Sequence, residues 1–465
     1  MPTLRLDEIS RACQGELVRG DGERTVDSFA IDTRALRPGG MFFALPGSRA
    51  DGHDYLAEAA RCGAVAACVR DDRSIVVEAP ETLIRVKDTV SALGNCGKLA
   101  RDKLPDTHWT AITGSNGKTN TKELLAAGLA ATRRVHRTSG NFNNHLGVPL
   151  TLLACPDDAE SAVVELGMSA PGEIAYLATM VRPDVGLVTN VRAVHLEFFD
   201  SLDDIAAAKG ELFAVLDPEA ISVVNLDDLH VRVQGARHEG PRVTFGCSPE
   251  ADLHVEEIAN RFLPGGAIAF TYQGRMHTAR LRIGGGHAAL NALAALAAIV
   301  AAGEEIEPAI EKMQQLEAEA GRGIVHRLAR GIVVVDDTYN SSPAALASVL
   351  ETLHNSHSDG RKVLVMGDML ELGHVEDALH REAGKLAATS GVNLLVAVGP
   401  LSRLTAEAAR RAGVEQVHHH ADAAGAAEAV VDLLRDGDLV VIKGSRKLRL
   451  EHIVEALTAS LREAG

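Results

Sequence analysis

The chain of 465 residues is about three times as long as a typical domain, so two to four domains are expected. Hydrophobic residues make up 46% of the chain and charged residues 24%, which excludes a disordered or collagen-like protein. The formal net charge of −16 excludes the basic surface that non-specific nucleic-acid binding needs, so no nucleic-acid partner is expected.

The cysteines and the apolar segments indicate a protein of a reducing compartment that does not enter a membrane. The six cysteines are scattered without C-x-x-C spacing, so we expect free thiols rather than disulfides or a zinc site. Residues 1–10 carry charges and lack the apolar core of a secretory signal. The longest apolar stretch, 288–302, is an alanine-rich packing helix too short to span a bilayer. A cytoplasmic protein without membrane insertion is expected.

The first of three regions, residues 1–86, has the pattern of a small α/β domain. Short runs typical of strands, at 41–45 and 64–69, are separated by clusters of turn-forming residues at 37–40 and 46–49.

The second region, residues 87–321, alternates strand-like and helix-like runs. The strand-like runs are apolar and end in polar or small residues, at 109–113, 161–165, 185–189 and 221–225. This alternation predicts a mostly parallel sheet of the P-loop type with helices on its faces. The acidic segment 304–319 is predicted to be a helix that leads into a hinge.

The third region, residues 322–465, starts the alternation again and predicts a second doubly wound, Rossmann-like domain. Its strand-like runs lie at 332–335, 362–366, 394–398 and 439–442. In such sheets ligands bind beyond the carboxyl ends of the strands, so functional residues are expected just after each run.

A glycine-rich loop lies between the run 109–113 and a helical segment at 121–131. Its sequence, Thr-Gly-Ser-Asn-Gly-Lys-Thr at 113–119, is typical of a phosphate-binding turn. Backbone N–H groups would face the phosphates, Lys118 would reach their β and γ oxygens, and the Thr119 hydroxyl could hold Mg²⁺. An ordinary glycine-rich turn is the alternative. Ile112 stands where the strict P-loop pattern has its first glycine, and no NKxD sequence is present, which disfavours a GTPase.

Three further residues lie at or beyond successive strand ends and are candidates for the same site. Glu165 ends a strand-like run and suits a hard ion such as Mg²⁺, although a carboxylate that caps a turn is the alternative. His195 lies past the next strand and is either a ligand or a hydrogen-bonded structural residue. Lys209 lies on a helix predicted over 201–213, where a lysine is normally solvated.

Ordered motifs cover essentially the whole chain. In chain order they are Thr-Gly-Ser-Asn-Gly-Lys-Thr at 113–119, Asn-Phe-Asn-Asn-His-Leu-Gly-Val-Pro at 141–149, Glu-Leu-Gly-Met at 165–168, Asn190 with His195, Ala-Lys-Gly-Glu at 208–211, His287 with Asn291, Gly321-Arg322, and Asp-Thr-Tyr-Asn at 337–340. These motifs resemble those of the ATP-dependent Mur ligases of peptidoglycan precursor synthesis. The hinge reads Ala-Gly-Arg at 320–322, where relatives often have Pro-Gly-Arg.

Within that family, four motifs are most similar to the member that adds D-alanyl-D-alanine. They are Asp-Thr-Arg at 32–34, Asp-Gly-His at 51–53, Met-Gly-Asp-Met-Leu-Glu-Leu-Gly at 366–373 and Lys-Gly-Ser-Arg at 443–446. The Asp-Asn-Pro-Arg motif of the diaminopimelate-adding member is absent.

The resemblance implies ATP and Mg²⁺ as cofactors and assigns residues to them. The implied ATP-binding residues are Gly114, Ser115, Asn116, Gly117, Lys118, Thr119, Asn291, Arg322, Asp337 and Asn340. The implied catalytic residues are Lys118, Glu165, His195 and Lys209. Around Mg²⁺ it implies Thr119, Glu165 and His195, joined by Lys209 if that lysine is carbamylated.

It also implies small-molecule substrates and one domain for each. Residues 1–86 would bind a UDP-sugar peptide, residues 87–321 would bind ATP, and residues 322–465 would close over ATP and bind the dipeptide. The candidate substrate-binding residues are Thr33, Arg34, Asp51, His53, Asn143, Asn144, Asp368 and Glu371. Phosphoryl transfer would activate the peptide carboxylate as an acyl phosphate, which the dipeptide amine then attacks. A monomer is expected.

Other interpretations stay open at this point. One is a sibling ligase that adds diaminopimelate or lysine, or a folylpolyglutamate synthase, which lacks a UDP-type domain. Another is a catalytically silent nucleotide-binding regulator, which would need only the loop. A metal site at His418–His420 is disfavoured, because three adjacent residues on a strand cannot all face one ion.

Overall fold

The computed structural model describes residues 2–47, 50–73, 78–193, 197–263, 265–284 and 288–461. These residues form three larger sheets, of five, nine and six strands, and a two-stranded ribbon. Hydrophobic clusters cover the larger sheets, two for each. The predicted three-part α/β fold is confirmed, with one sheet for each of the three regions.

The first sheet has the strand order β2-β7-β6-β5-β4, in which β4 to β7 run parallel and β2 is antiparallel to β7. Strands β1 and β3 pair as the separate ribbon. The elements of this part are β1 (Leu4–Arg5), α1 (Leu6–Ala12), β2 (Glu16–Arg19), β3 (Thr25–Val26), β4 (Phe29–Ala30), β5 (Met41–Phe43), α2 (Leu56–Arg61), β6 (Ala66–Arg70) and β7 (Thr82–Val86).

Helix α3 (Thr89–Asp102) connects the first sheet to the second. The Asp88 carboxylate caps its first turn by accepting hydrogen bonds from the N–H groups of Val90 and Ser91. The helix residues that enter the core of the first sheet are Ala92, Leu93, Cys96 and Ala100.

The second sheet has the order β16-β15-β14-β13-β12-β11-β8-β10-β9, and all strands from β8 to β14 run parallel to one another. The elements of this part are β8 (His108–Thr113), α4 (Lys118–Leu129), β9 (Val135–Arg137), α5 (Gly147–Leu153), β10 (Ser161–Glu165), α6 (Glu173–Val181), β11 (Val185–Val188), α7 (Leu202–Ala214), β12 (Ile221–Asn225), α8 (Leu229–Gly235), β13 (Arg242–Gly246), β14 (Leu253–Ala259), β15 (Ala267–Tyr272), β16 (Arg275–Arg280), α9 (Ala288–Ala301) and α10 (Ile306–Met313).

Two features of the second sheet differ from the prediction. Strands β14, β15 and β16 extend it as an antiparallel meander that the sequence patterns did not indicate. The acidic segment 304–319 is helical only in α10, because its buried stripe of Ile306, Ala309, Ile310 and Met313 ends there.

The third sheet has the order β17-β18-β22-β19-β20-β21, and only its edge strand β17 is antiparallel to its neighbour. The elements of this part are β17 (Ile324–Arg327), β18 (Val333–Asp337), α11 (Pro343–Asn355), β19 (Lys362–Gly367), α12 (Glu376–Thr389), β20 (Leu394–Val398), α13 (Ser402–Arg411), β21 (Gln416–His420), α14 (Ala423–Leu433), β22 (Leu439–Lys443) and α15 (Glu451–Ser460).

Two composition-based predictions concern the thiols and the membrane. All six cysteines lie in the described ranges and are free thiols, as expected. Within the described ranges, no helix is both long enough and apolar enough to cross a bilayer.

Candidate active site

A cavity of about 760 Å³ lies where the carboxyl ends of the second and third sheets face each other. Its first wall is formed by the loops after β8, β9, β10 and β11 and by α7. Its second wall is formed by the loops after β18, β19 and β22. Most of the residues predicted from sequence meet in this cavity.

The glycine-rich loop after β8 needs its glycines for space as well as for conformation. Gly114 has a φ of +147°, and a Cβ atom there would lie 1.9 Å from Thr189 Oγ1. Gly117 has a φ of +82°, and a Cβ atom there would lie 2.3 Å from Asn291 Oδ1. The loop therefore packs against the residues after β11 and against α9 in a way that any side chain would disrupt.

Some amide groups of this loop donate hydrogen bonds within the protein, and the others are left to bind an anion. The Ser115 N–H donates to the Asn190 carbonyl at 2.9 Å, and the Asn116 N–H donates to the Asn190 side chain at 3.1 Å. The first-turn amides of α4, which have no intrahelical acceptor, remain to bind a phosphate. Asn190 belongs to one of the sequence motifs, but the motif did not predict that this residue would hold the loop.

Lys118 is folded back on the loop. Its Nζ donates to the carbonyls of Gly114, at 2.6 Å, and Ser115, at 3.2 Å. Burial lowers the pKa of Lys118, and the Glu165 charge opposes that shift. A phosphate in the loop would thus meet an ammonium group that is already held at the site.

Glu165, at the end of β10, is 2% exposed and is held by two side chains. Its Oε2 accepts a hydrogen bond from Thr119 Oγ1 at 2.9 Å, and its Oε1 accepts one from Asn143 Nδ2 at 2.8 Å. Next to Asn143, Asn144 also lines the cavity, and its Oδ1 accepts from the N–H groups at the start of α5. A carboxylate and a hydroxyl thus form one oxygen cluster beside the loop.

Lys209 lines the cavity from α7 although it is only 2% exposed. Burial lowers its pKa well below the usual value, and the nearby charge of Lys118 adds to the effect. Among the described residues its ammonium group has no hydrogen-bond or ion-pair partner. The side chain is buried, so the ordinary expectation that a lysine on a helix is solvated is wrong for Lys209. His195 lies outside the described residues, as does His287.

The second wall brings Arg322, Asp337 and Asn340 to the same cavity. The Arg322 guanidinium stacks 3.7 Å from the centre of the Tyr339 ring. Lys443, 3% exposed, pairs with the Asp337 carboxylate at 2.7 Å and donates to the Asn340 carbonyl at 3.0 Å. Sequence reasoning gave no role to Tyr339 or Lys443, although both belong to quoted motifs.

The N-terminal candidates lie in the turns that follow β4 and β5 of the first sheet, and they do not line this cavity. Asp32 accepts hydrogen bonds from the Arg34 guanidinium beside Thr33, and this lowers the pKa of Asp32 to about 2. The His53 ring is held on both sides, with Nδ1 at 2.6 Å from Asp51 and Nε2 accepting from the N–H of Arg70 at 2.9 Å. These bonds give His53 a structural part in fixing the loop at Asp51.

The two acidic candidates after β19 have different positions. Glu371 lines the cavity with a φ of +62°, a left-handed conformation that a non-glycine residue rarely adopts. Asp368 does not line it; the residue is 2% exposed, and its carboxylate accepts from the N–H and hydroxyl of Ser402, both at 2.6 Å. Asp368 therefore fixes the start of α13, and Glu371 is the acidic side chain that the loop presents to the cavity.

Comparison with known proteins gives matches over nearly the whole chain. Three family descriptions match consecutive segments: "Mur ligase family, catalytic domain" at residues 25–101, "Mur ligase middle domain" at 112–299, and "Mur ligase, glutamate ligase domain" at 321–446. The UDP-N-acetylmuramoyl-tripeptide–D-alanyl-D-alanine ligase of Bacillus subtilis (strain 168) is 34% identical, over 97% of this chain and 98% of that protein.

Solved structures extend the likeness to three dimensions. MurF from Acinetobacter baumannii superposes with a TM-score of 0.88 at 28% identity, covering 99% of both chains. MurF ligase from Thermotoga maritima in complex with ADP superposes with a TM-score of 0.79 at 29% identity, covering 93% of this chain and 97% of that one. With its phosphate-binding loop, its three sheets and these matches, the chain belongs to the Mur ligase family.

Proposed function

We propose that the protein is an ATP-dependent ligase that joins D-alanyl-D-alanine to UDP-N-acetylmuramoyl-tripeptide in peptidoglycan precursor synthesis. The products are UDP-N-acetylmuramoyl-pentapeptide, ADP and phosphate. The activity named for the full-length relative supports the choice of substrates. The structural observation that carries the proposal is the shared cavity, in which a phosphate-binding loop and a buried carboxylate face the loops of another sheet.

In this proposal each part of the chain holds one substrate. Residues 1–86 bind the UDP-sugar, residues 87–321 bind ATP, and residues 322–465 bind the dipeptide and close over the nucleotide. The ADP complex of the Thermotoga maritima relative supports a nucleotide at the loop 114–119. Asn291, which we propose as a contact near adenine, touches Gly117 of that loop, and Arg322, Asp337 and Asn340 approach from the second wall.

The oxygen cluster of Thr119 and Glu165 fits a Mg²⁺ ion. Both groups are hard oxygen donors, and Mg²⁺ needs only one or two protein ligands besides phosphates and water. In the described part of the chain, no group of three or more His, Cys, Asp or Glu residues is arranged to hold a metal. When bound, Mg²⁺ would neutralise charge on the phosphate oxygens; His195 stays a proposed ligand.

Lys209 has two proposed states. Burial favours its neutral amine, which is the form that can react with carbon dioxide to give a carbamate. A carbamylated Lys209 would add a carboxylate-like ligand to the cavity that Glu165 also lines. This would remove the cost of burying an ammonium group next to Lys118.

The chemistry proposed for the site proceeds in two steps. Lys118 offsets the repulsion between the peptide carboxylate and the γ-phosphoryl group, so that the carboxylate oxygen attacks phosphorus and ADP leaves. The dipeptide amine then attacks the carbonyl carbon of the acyl phosphate, and the tetrahedral intermediate expels phosphate as the amine loses a proton. A closed site protects the acyl phosphate from water.

The remaining substrate contacts are proposed from position. Asn143 and Asn144 lie beside Glu165 and would meet the tripeptide end of the UDP substrate. Thr33, Arg34, Asp51 and His53 would form or support the UDP site on the first sheet. Glu371, and Asp368 through the loop that it anchors, would serve the dipeptide.

The setting of the protein is proposed from these substrates. A cytoplasmic location supplies ATP, and the acidic chain needs no nucleic-acid partner. We propose a monomer, because one chain contributes both walls of the cavity.

The experiment that tests the function is phosphate release from ATP in the presence of the UDP-tripeptide. The purified chain is assayed with D-alanyl-D-alanine, with diaminopimelate, with lysine and with D-glutamate as the amine. Release that depends on D-alanyl-D-alanine supports the proposal. Release only with another amine identifies a sibling ligase, and ATP binding without release under any condition identifies a silent regulator.

A further inference from the structure

The second wall of the cavity contains a crevice at the place where an open α/β sheet binds ligands. Strands β18, β22 and β19 are neighbours in the third sheet, and the loop after each of them lines the cavity. Crevices outside the carboxyl ends of parallel strands are the usual ligand sites of such sheets. The crevice is thus part of the cavity but is separate from the phosphate-binding loop.

Hydrogen bonds hold the loops of this crevice in place. The Leu370 N–H donates to Ser445 Oγ at 3.0 Å, and the Ser445 N–H donates to the Asp368 carbonyl at 3.1 Å. Lys443 is bound to Asp337 and to the Asn340 carbonyl, which ties the loop after β22 to the loop after β18. Side chains beyond Ser445 therefore project from a braced segment.

Two cations follow this braced segment and line the cavity, Arg446 and Lys447. The Arg446 side chain is 63% exposed, and its Nη1 is bonded to Glu451 at 3.0 Å, which orients the guanidinium and leaves its other donors available. Among the described residues, Lys447 has neither an ion pair nor a hydrogen bond through its side chain. Although the chain has a net charge of −16, two adjacent cations thus lie on the second wall of the cavity, which the acidic Glu371 also lines.

The charges of the incoming dipeptide match this arrangement. Its amine must approach the carboxylate that is activated next to Lys118 and Glu165, on the first wall. An extended dipeptide spans about 7 Å, so its other end, a carboxylate, points towards the second wall. A guanidinium binds a carboxylate through two parallel N–H···O bonds, which an ammonium group cannot reproduce.

We propose that Arg446, with Lys447 beside it, binds the C-terminal carboxylate of the incoming dipeptide and so selects an amine substrate that carries a free carboxylate. This inference rests on the proposed function and assigns a residue to its amine substrate. Glu451 positions the guanidinium. Neither cation is needed for phosphoryl transfer.

The experiment compares D-alanyl-D-alanine with its C-terminal amide, which keeps the amine but lacks the negative charge. Wild-type protein and the variants Arg446→Gln, Arg446→Lys, Lys447→Gln and Arg449→Gln are assayed for phosphate release. Arg449 is an exposed cation of the same segment that does not line the cavity, so it is the matched control. Thermal unfolding checks that each variant is folded.

We expect Arg446→Gln to raise the KM for D-alanyl-D-alanine about tenfold or more and to leave the KM for ATP unchanged. The ratio of kcat/KM for D-alanyl-D-alanine to kcat/KM for its amide, which measures the preference for the acid, should fall by the same factor. The reason is that the amide does not make the contact that the variant loses. Arg446→Lys should recover part of the preference, Lys447→Gln should lose a smaller part, and Arg449→Gln should keep all of it.

The outcomes separate this inference from the function on which it rests. If wild-type protein releases no phosphate with D-alanyl-D-alanine, the proposed function fails. If wild-type protein does release phosphate, but both Arg446→Gln and Lys447→Gln keep the full preference for the acid, only the inference is overturned. It is also overturned if the variants raise the KM for ATP instead, since the cations then bind phosphate. Should Arg446→Gln not fold, Lys447→Gln decides the same question.

Discussion

Thr119 and Glu165 are joined by a hydrogen bond of 2.9 Å between Oγ1 and Oε2, although they are 46 positions apart in the chain. The bond forms because β8 and β10 are neighbouring parallel strands whose carboxyl ends meet at one edge of the sheet. Asn143 holds the other oxygen of the carboxylate. The fold thus orients the oxygen cluster in the protein itself, and this reduces the cost of organising it when a ligand binds.

Replacing Glu165 by Gln should reduce kcat about 100-fold or more, with little change in stability. Glutamine keeps the size of the side chain and can still accept from Thr119, but it lacks the charge that attracts a cation. The Mg²⁺ concentration needed for half-maximal activity should rise in the same variant. Glu239→Gln, at an exposed position, is the control. Equal Mg²⁺ dependence in wild type and Glu165→Gln would contradict the metal role.

Replacing Lys118 by Ala should abolish turnover, with kcat reduced about 1000-fold, while the protein stays folded. The ammonium group is held by two loop carbonyls, and its loss removes the charge that faces the phosphates. Steady-state phosphate release measures the effect, and circular dichroism verifies the fold. Lys385→Ala, on the exposed face of α12, should behave as wild type. Near-normal activity in Lys118→Ala would refute its phosphate role.

Replacing Lys209 by Met should stabilise the protein by about 1–3 kcal/mol, because it removes a buried amine that has no partner among the described residues. The same variant should abolish activity, because methionine cannot form the proposed carbamate. The experiment is denaturant unfolding in buffer free of carbon dioxide, which keeps the wild-type amine unmodified.

The difference in stability between Lys209→Met and wild type should depend on pH, and its sign follows from the pKa shift of Lys209. Burial lowers the pKa of Lys209 in the folded state below its usual 10.5, so the unfolded state binds the proton more tightly. The destabilisation by the wild-type amine is therefore fully present below the folded pKa and disappears as the pH rises towards 10.5. The stability difference between Lys209→Met and wild type should shrink over that interval. A constant difference would show that Lys209 does not titrate with a lowered pKa.

Replacing Gly321 by Ala should lower kcat/KM for ATP about tenfold in addition to its effect on stability. Gly321 has a φ of +74°, and an added Cβ would lie 3.0 Å from the Tyr339 nitrogen, beside the ring on which Arg322 stacks. Gly391→Ala is the matched control, because Gly391 has a φ of +77° with nothing within 4 Å. Each variant should lose about 1 kcal/mol of stability. If both lose activity equally, the contact with Tyr339 has no functional part.

Binding of an ATP analogue with the UDP-tripeptide should compact the protein, because the two walls of the cavity belong to different sheets. Small-angle X-ray scattering measures the radius of gyration with and without these ligands. Superimposable profiles would exclude closure of the third region over the nucleotide.

Much of the fold could be predicted because buried parallel strands are continuous apolar runs. The runs 161–165, 221–225 and 394–398 coincide with β10, β12 and β20 residue for residue. The meander β14–β16 was not predicted, because its strands mix exposed charged residues with buried ones and resemble solvated loops. Periodicity carries little signal for strands of that kind.

The site was predicted in part for a related reason. Residues just after strand ends, such as Lys118 and Glu165, could be placed at one sheet edge from the order of elements alone. Asp368 also follows a strand, yet it caps a helix, whereas Glu371 faces the cavity. The direction of the backbone at each residue decides between these two roles. The left-handed conformation of Glu371 supplies that difference, and no sequence pattern indicated it.

The separation of the two walls has a consequence for how such proteins diversify. The nucleotide machinery depends on the core around β8, β10 and β11, whereas the crevice depends on the core of the third sheet. If the short segments after β19 and β22 bind the amine substrate, as proposed, substitutions in them would redirect the choice of amine without disturbing the phosphate chemistry. On that proposal, one nucleotide-binding wall would serve different amine acceptors, each recognised by a few residues of the other wall.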